Sequence, residues 1–555
     1  MHLLLAQKGS ISEGDEAMDL GQSPGDILFL SAADTELAAV ATAHDAVGEA
    51  CSLRVANLVS LKHPMSVDTY VERTARHAKL IVIRALGGAS YFHYALEALH
   101  ACALRSGAKI AVLPGDSKAD PGIAPFSTIG ADDLNALWSY LIEGGAENYH
   151  AFLAYARALV AGSEKPGAAE PLAKAGIWWP GRGVIGVEEW RAEAGEADAP
   201  VAAISFYRAL VQSGETKPVE AMLEALRAEG LRPLPVFAYS FKDAGCVETV
   251  GAILQELAPD VVVNTTGFAI SAPGADRQPT VLEVSDAVVL QAIFSASSRE
   301  AWAASSQGLS ARDLGMNVSL PEVDGRVLSR AVSFKAAVRF DEKVEANIVT
   351  HQPDAGRMAF VARLASRWAR LRRLPATERR VAVVLANYPN RDGRLGNGVG
   401  LDTPAGTVEA LKAMQREGYP VRDLPADGDA LITYLMQGPT NAAHDGRVIR
   451  ETLSLNQYNA FFATLPVQIQ DEVTARWGGP EVDPFFTDDG FALSLARFGD
   501  ALVGIQPARG YQIDPKESYH SPDLVPPHGY LAFYAYIRHV FGAHAIVHMG
   551  KHGNM

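Results

Sequence analysis

Short apolar runs of strand length alternate with amphipathic stretches along most of the chain. "DILFLSAAD" (Asp26–Asp34), "SLRVANL" (Ser52–Leu58), "KLIVIRALGG" (Lys79–Gly88) and "AKIAVLPGD" (Ala108–Asp116) read as buried strands. Between them, "TELAAVATAHDAV", "VDTYVERTARHA" and "YFHYALEALHACALRSG" carry a helical period. Apolar strands separated by helices predict a parallel sheet covered on both faces. Helices dominate from Asp132 to Ala161, and the Gly/Pro-rich stretch Gly162–Gly183 predicts a break in structure.

The alternation then resumes. "APVAAISFYRALVQSGETKPVEAMLEALRAEGLRPLPVFAYSF" has the order strand, loop, helix, strand, which is the crossover unit of a parallel sheet. "APDVVVNTTGFA" (Ala258–Ala269) and "DAVVLQAIFSAS" (Asp286–Ser297) add strands. "AFVARLASRWARLRRLP" predicts a helix burying Val361, Leu364, Trp368 and Leu371, with Arg363, Arg367, Arg370 and Arg373 on another face. "RRVAVVLANYP" (Arg379–Pro389) opens another unit, helical from Asp402 to Trp477. Strands near "FALSLARFGDALVGIQP", the helix "HGYLAFYAYIRHVF" and a strand into "VHMGKHGNM" follow. The expected fold is a multidomain α/β protein with several βαβ units, parallel sheets and added helical segments. The expected boundaries are 1–161, a linker or insertion over 162–199, 200–375 and 376–555.

A length of 555 residues suits several domains at roughly 100–200 residues each. A formal charge of −15 argues against general nucleic-acid binding, which needs clustered cations. Cys51, Cys102 and Cys246 lie far apart with no CxxC, so neither a zinc knuckle nor a disulfide scaffold is expected. The opening "MHLLLAQKGSISEGDE" has too short an apolar run for a signal peptide, and no stretch reaches the roughly 20 apolar residues of a membrane span. A cytoplasmic protein is expected.

Histidines concentrate near the end. His520, His528, His539, His544, His548 and His552 are six of the 15 in the chain. Imidazole is the commonest metal ligand and titrates near neutrality. His548 and His552 have the spacing of the zinc-protease HxxxH, but Met549 stands where that motif has Glu, and Gly550 and Gly553 oppose a helix. A strand running into a glycine-rich ligand loop at a sheet edge fits better. His539 and His544, at a helix end, read as incidental. "NYPNRDGRLGNGVGLDTPAGTVEAL" (Asn387–Leu411) places a glycine loop before a helix that Asp402 or Thr403 can cap, with Pro404 in its first turn. That geometry offers backbone N–H groups to an anion. No Walker A sequence occurs, so ATP chemistry would need another chain.

Eight blocks line up in order with a known family. They include "RALGGASYFHYALEAL", "VVNTTGFA", "NVSLPEVDGRVLSRAVSFK", "NYPNRDGRLGNGVGLDTPAGTVEAL", "VGIQPARGYQIDPKESYHSPDLVPPHGYLAFY" and "IVHMGKHGN". In them the chain resembles the CobN/magnesium chelatase H-subunit family, and within it the cobaltochelatase large subunits. The family motif H-x-G-x-H-G-x-x-E matches at His548, Gly550, His552 and Gly553, and its Glu would be the next residue. The resemblance therefore implies an N-terminal piece of a longer subunit.

It also implies ATP-dependent insertion of Co²⁺ into hydrogenobyrinic acid a,c-diamide on the way to cobalamin (vitamin B12). The partners would be an AAA+ ATPase subunit and its companion small subunit, which hold ATP and Mg²⁺. On this reading His548 and His552 are the catalytic groups and metal ligands, with His520 or His528 as a third. Gly396, Gly398, Asp402, Thr403 and Arg509 would meet the carboxylate arms of the tetrapyrrole. His528, Tyr530 and Tyr534 would lie against the macrocycle. Alternatives are the magnesium chelatase counterpart acting on protoporphyrin IX, a tetrapyrrole-binding fragment without turnover, and a zinc hydrolase.

Overall fold

The first four apolar runs form one sheet: β1 (Ile27–Ser31), β2 (Leu53–Asn57), β3 (Leu80–Ala85) and β4 (Lys109–Pro114), all parallel in the order β2-β1-β3-β4. Ile27 and Phe29 face one buried layer, with the helices Asp34–Val47, Ala131–Glu143 and Ala146–Ala161. Leu28 and Leu30 face the other, with Pro64–Arg73 and His93–Ser106. Successive side chains of a strand point to opposite faces, so a run apolar at every position is one covered on both. The computed structural model describes residues 4–5, 17–47, 51–272, 274, 276–387, 392–442, 444–488, 490–511 and 524–550. The chain divides into two units, Met1–Ala369 and Arg370–Met555.

The first unit has a second, eight-stranded sheet. Its strands are β5 (Ala175–Trp179), β6 (Gly183–Ile185), β7 (Val201–Tyr207), β8 (Arg232–Ala238), β9 (Val261–Asn264), β10 (Val288–Ser295), β11 (Val327–Asp341) and β12 (Ala346–Pro353), ordered β12-β11-β10-β9-β7-β8-β5-β6. The five inner strands are parallel, and β12, β5 and β6 add antiparallel edges. The stretch expected as a linker or insertion thus supplies two strands of this sheet. Residues 163–173 carry no regular element, but Ile177, Trp179 and Trp190 are buried, and the Trp190 indole donates to the Pro233 carbonyl at 2.9 Å.

The expected boundary between the first two domains also changes. The β11–β12 hairpin reaches into the first sheet's core through Val344 and Ile348, and its turn pairs Glu345 with Arg54 at 3.1 Å. The helix Ala355–Arg373 buries Met358, Val361, Ala362, Ala365 and Ala369, whereas Trp368 is exposed. Alanines let the helix lie close on the sheet, so its buried stripe is rotated from the one marked by the larger side chains.

The second unit is built on β13 (Val381–Leu385), β14 (Leu495–Phe498), β15 (Ala501–Ile505) and β16 (Ala545–Met549), ordered β14-β15-β13-β16. β13 runs parallel to both β15 and β16, and β14 is antiparallel to β15. Val383, Leu385, Val503 and Ile505 pack with the helices Thr403–Arg416 and Gly428–Met436. Ala382, Val384 and Leu502 pack on the other face with the helix His528–Ala535. Among the described residues no helix is long and apolar enough to cross a membrane.

Candidate functional site

β13 has its parallel neighbours on opposite sides, so the chain segments leaving β15, β13 and β16 emerge at one edge of the sheet. The C-terminal edge at such a change of direction is where open α/β sheets form a crevice. Here it collects Gln506 after β15, Ala386 and the 396–403 loop after β13, and His548 and Gly550 at the end of β16.

The 396–403 loop is a tight hairpin, Asn397–Gly398 against Leu401–Asp402, leading into the helix Thr403–Arg416. Thr403 is fully buried and holds it closed: its hydroxyl donates to the Gly396 carbonyl and its own carbonyl accepts from Thr407 Oγ1 at 2.7 Å. A Cβ on Gly398 would stand 2.7 Å from Thr403 Cγ2, so the glycine is needed for this approach. Gly550, at φ +127°, comes to the same threonine from the other side, where a Cβ would lie 3.4 Å from Thr403 Cγ2 and 3.1 Å from Ala386 Cβ. The loop and the end of β16 are thereby packed together. Asp402 caps the helix, its Oδ1 accepting from the Ala405 N–H at 3.1 Å. The helix start therefore already holds a carboxylate, which counters its expected role as an open anion site.

His548 pairs with Val384 across the β13–β16 ladder. Strand alternation sends Met549 towards the helices Thr403–Arg416 and Gly428–Met436 and His548 to the opposite face. There its ring lies nearly parallel to that of Tyr534, centroids 6.2 Å apart and 28° between planes. Tyr530 packs beside Tyr534 at 5.2 Å, and Gln506 Nε2 donates to the Tyr534 hydroxyl at 3.4 Å. Burial raises the pKa of both phenols and lowers that of His548 below the ordinary imidazole value. His548 keeps part of its surface exposed and has no hydrogen-bond partner among the described residues, and its lowered pKa favours the neutral ring at pH 7, with a lone pair available.

The other imidazoles expected to matter divide differently. His528 is fully buried, with Nε2 2.9 Å from the Gly478 carbonyl and Nδ1 2.5 Å from the Tyr458 hydroxyl. A carbonyl only accepts, so Nε2 carries the hydrogen and Nδ1 accepts from Tyr458. With both nitrogens engaged inside a cluster of Tyr458 and Phe462, His528 is a core residue, not a ligand-facing one. His544 accepts the Arg380 N–H on Nδ1 at 3.0 Å. His520 and His552 lie outside the described residues. Among the described residues no three His, Cys, Asp or Glu side chains come together as a metal centre. Arg509 is half-buried and donates through Nη2 to the Leu524 carbonyl at 2.8 Å.

Sequence reasoning passed over Asp483 and Asn441. Asp483 is buried, accepts from the Gly529 N–H at 2.8 Å at the start of the helix His528–Ala535, and is held above the usual carboxylate pKa by burial. Asn441 braces the loop after β15, donating to the Gln506 carbonyl and accepting from the Ala508 N–H, both at 2.9 Å. Neither stands in a motif, and only the folded chain reveals their partners.

Residues 138–555 match the model of the CobN/magnesium chelatase family. The chain is 68% identical over its full length to the aerobic cobaltochelatase subunit CobN of a Sinorhizobium species, covering 44% of that protein. It is 43% identical, with the same coverage, to the protein of that name in Pseudomonas aeruginosa. The magnesium-chelatase H subunit of Rhodobacter capsulatus is 25% identical over 64% of this chain and 30% of its own. The solved catalytic subunit of cobaltochelatase from Mycobacterium tuberculosis superposes with a TM-score of 0.70 at 31% identity, over 95% of this chain and 43% of that one. The chain spans less than half the length of the curated relatives named here. A match covering most of the chain, in the order of its sheets and loops, places it in the CobN/magnesium chelatase family.

Proposed function

We propose that the chain is the tetrapyrrole- and metal-handling part of a cobaltochelatase large subunit, acting in insertion of Co²⁺ into hydrogenobyrinic acid a,c-diamide during cobalamin synthesis. The observation that carries this reading is the 68% identity along the whole chain to an aerobic cobaltochelatase subunit, against 25% over part of it to a magnesium-chelatase subunit. Imidazole ligands also suit cobalt better than magnesium.

Metal insertion requires a ring nitrogen to lose its proton and the aquated ion to shed water. A neutral imidazole performs either step, as base or as passing ligand. His548 has that form, and Tyr534 lies against it as a flat apolar neighbour for a macrocycle. His552 and His520 are proposed to complete the metal-handling set with it. With the helix start already capped by Asp402, the Gly396–Thr403 hairpin would shape the sheet edge rather than bind an anion there, and Arg509 is proposed to meet the substrate's arms. ATP and Mg²⁺ belong to the partner subunits on this reading, an AAA+ ATPase and its companion, in the cytoplasm.

The test is cobalt insertion by the subunit carrying this sequence together with its ATPase partners, wild type against His548→Ala, with protoporphyrin IX and Mg²⁺ as the competing substrates. The expected result is corrin-specific insertion, lost by at least about a hundredfold in the variant. Insertion of Mg²⁺ into protoporphyrin would overturn the choice of metal. An unchanged rate in the variant would overturn the role of His548.

A further inference from the structure

Far along the chain from the histidine motif, the first unit carries a cleft of about 470 Å³ beside β10 and β11. Its lining includes Trp302, Ser306, Gly308, Ser329, Arg330 and Arg357. Three guanidinium groups gather around it. Arg299 and Arg357 lie against the Trp302 ring, their Cζ atoms 4.9 and 4.5 Å from its centre, and Arg330 lies over Phe360 at 3.4 Å. The carboxylate that pairs within this group is Asp354, and it is already used twice. Its Oδ2 accepts from Arg299 Nε at 2.9 Å, and its Oδ1 accepts from the Arg357 N–H at 3.1 Å, capping the helix Ala355–Arg373.

Arg330 and Arg357 consequently have no carboxylate partner among the described residues. Arg357 spends only its Nε, on the Ala331 carbonyl. Burial, and then the charge of Arg330, hold the Arg357 pKa below its ordinary value. The Ser329 hydroxyl is buried beside them with no hydrogen-bond partner. Two guanidinium groups line this cleft, and the carboxylate whose charge reaches Arg357, Asp354, is already bonded to Arg299 and to the helix start, so an added anion would be favoured there. Every polar group singled out in this lining can donate a hydrogen bond, and a guanidinium fork matches the two oxygens of a carboxylate or phosphate.

We propose that this cleft is a binding site for an oxyanion, a carboxylate or phosphate group held between Arg330 and Arg357 with Ser329 as a further donor. The flat Trp302 ring forms one wall, so the ligand bears its anionic group on a body that packs against an aromatic. The site lies in the first unit and is independent of the metal-insertion reading.

Calorimetric titration of the purified chain with inorganic phosphate and, separately, with citrate tests this. Saturable binding of at least one is expected, and whether phosphate or citrate binds identifies the group. Arg330→Gln and Arg357→Gln should each weaken it about tenfold or more, the loss of a charged hydrogen-bond donor. Arg330 makes no hydrogen bond that its replacement would remove and gives up only its contact with the Phe360 ring, so this variant should melt within a few degrees of the wild type. Arg363→Gln, an exposed change on the same helix, should bind as wild type. Absence of binding by both anions, unchanged affinity in Arg330→Gln, or an equal loss in Arg363→Gln would each overturn the proposal.

Discussion

Replacing His528 by Ala tells a core histidine from a ligand-binding one. The side chain is fully buried, as is Tyr458, and the two share a hydrogen bond. Truncation leaves the Tyr458 hydroxyl and the Gly478 carbonyl without a partner, at roughly 1–3 kcal/mol each if water does not enter. It also opens a gap between the Tyr458 and Phe462 rings, now 5.5 and 5.2 Å from the imidazole. Contributions of this kind are not additive, and about 3–5 kcal/mol is the range for losses of a buried polar aromatic group. A unit of this size moves by roughly 2–4 °C per kcal/mol, so melting of the second unit should fall by about 10 °C. Differential scanning fluorimetry measures the shift, and tetrapyrrole binding is then measured well below both transitions. At that temperature the variant should bind as the wild type does. A variant that melts normally but no longer binds tetrapyrrole would refute the reasoning, because only a ring in contact with the ligand behaves so.

Two further outcomes follow from titrating groups. Burial raises the Glu215 carboxyl from 4.5 to about 7, with Asp34 adding to the rise and Lys335 opposing it. The folded state thus holds this proton more tightly than the unfolded chain, and stability is lost as pH rises between the two values. Glu215→Gln should match wild type near pH 4.5 and exceed it by about 3 kcal/mol at pH 8, from a shift of about 2.5 units; a melting difference that does not change with pH contradicts this. Tyr534→Ala strips away burial that lowers the His548 pKa, so an NMR titration of His548 should move up towards about 6.5, and an unmoved midpoint would mean that Tyr534 does not set it.

The strands that proved legible are those buried at every position and apolar at nearly all, because burial on both faces leaves little room for another pattern. β1, β3, β13 and β15 are of this kind, with Ser31 and Arg84 the polar exceptions. β11 escaped notice because its burial changes along its length, exposed at Val327, buried from Ala331 to Phe334, exposed again at Val338 and Arg339 and buried at Asp341. β5 lies inside, and β6 at the end of, a Gly/Pro-rich stretch whose composition dominates the window. The Ala-lined face of Ala355–Arg373 was hidden because alanine carries little hydrophobic signal, although it permits the closest packing. At the site, the strand that carries His548 and the glycine loop were legible from the sequence. The separate roles of His528 and His548 were not, because an imidazole's chemistry is set by what its two nitrogens meet, and those partners lie far away in sequence.

That distinction narrows which groups at the sheet edge remain free to act. Asp402 is committed to Ala405, Thr403 to the hairpin and Tyr534 to Gln506. His528 and His544 each give nitrogen to the fold. A group already bonded must break that bond before it serves a substrate, and each such exchange returns only the difference between two hydrogen bonds. His548 starts from no such bond, with its proton affinity lowered and one ring face beside an aromatic. On the proposed reading, a base held unprotonated would suit deprotonation of a ring nitrogen, and the same lone pair would suit a metal ion in transit. The hairpin around Thr403 contributes by closeness: packed against Gly550, it sets the position at which β16 ends and therefore where the imidazole one residue inside that end can stand.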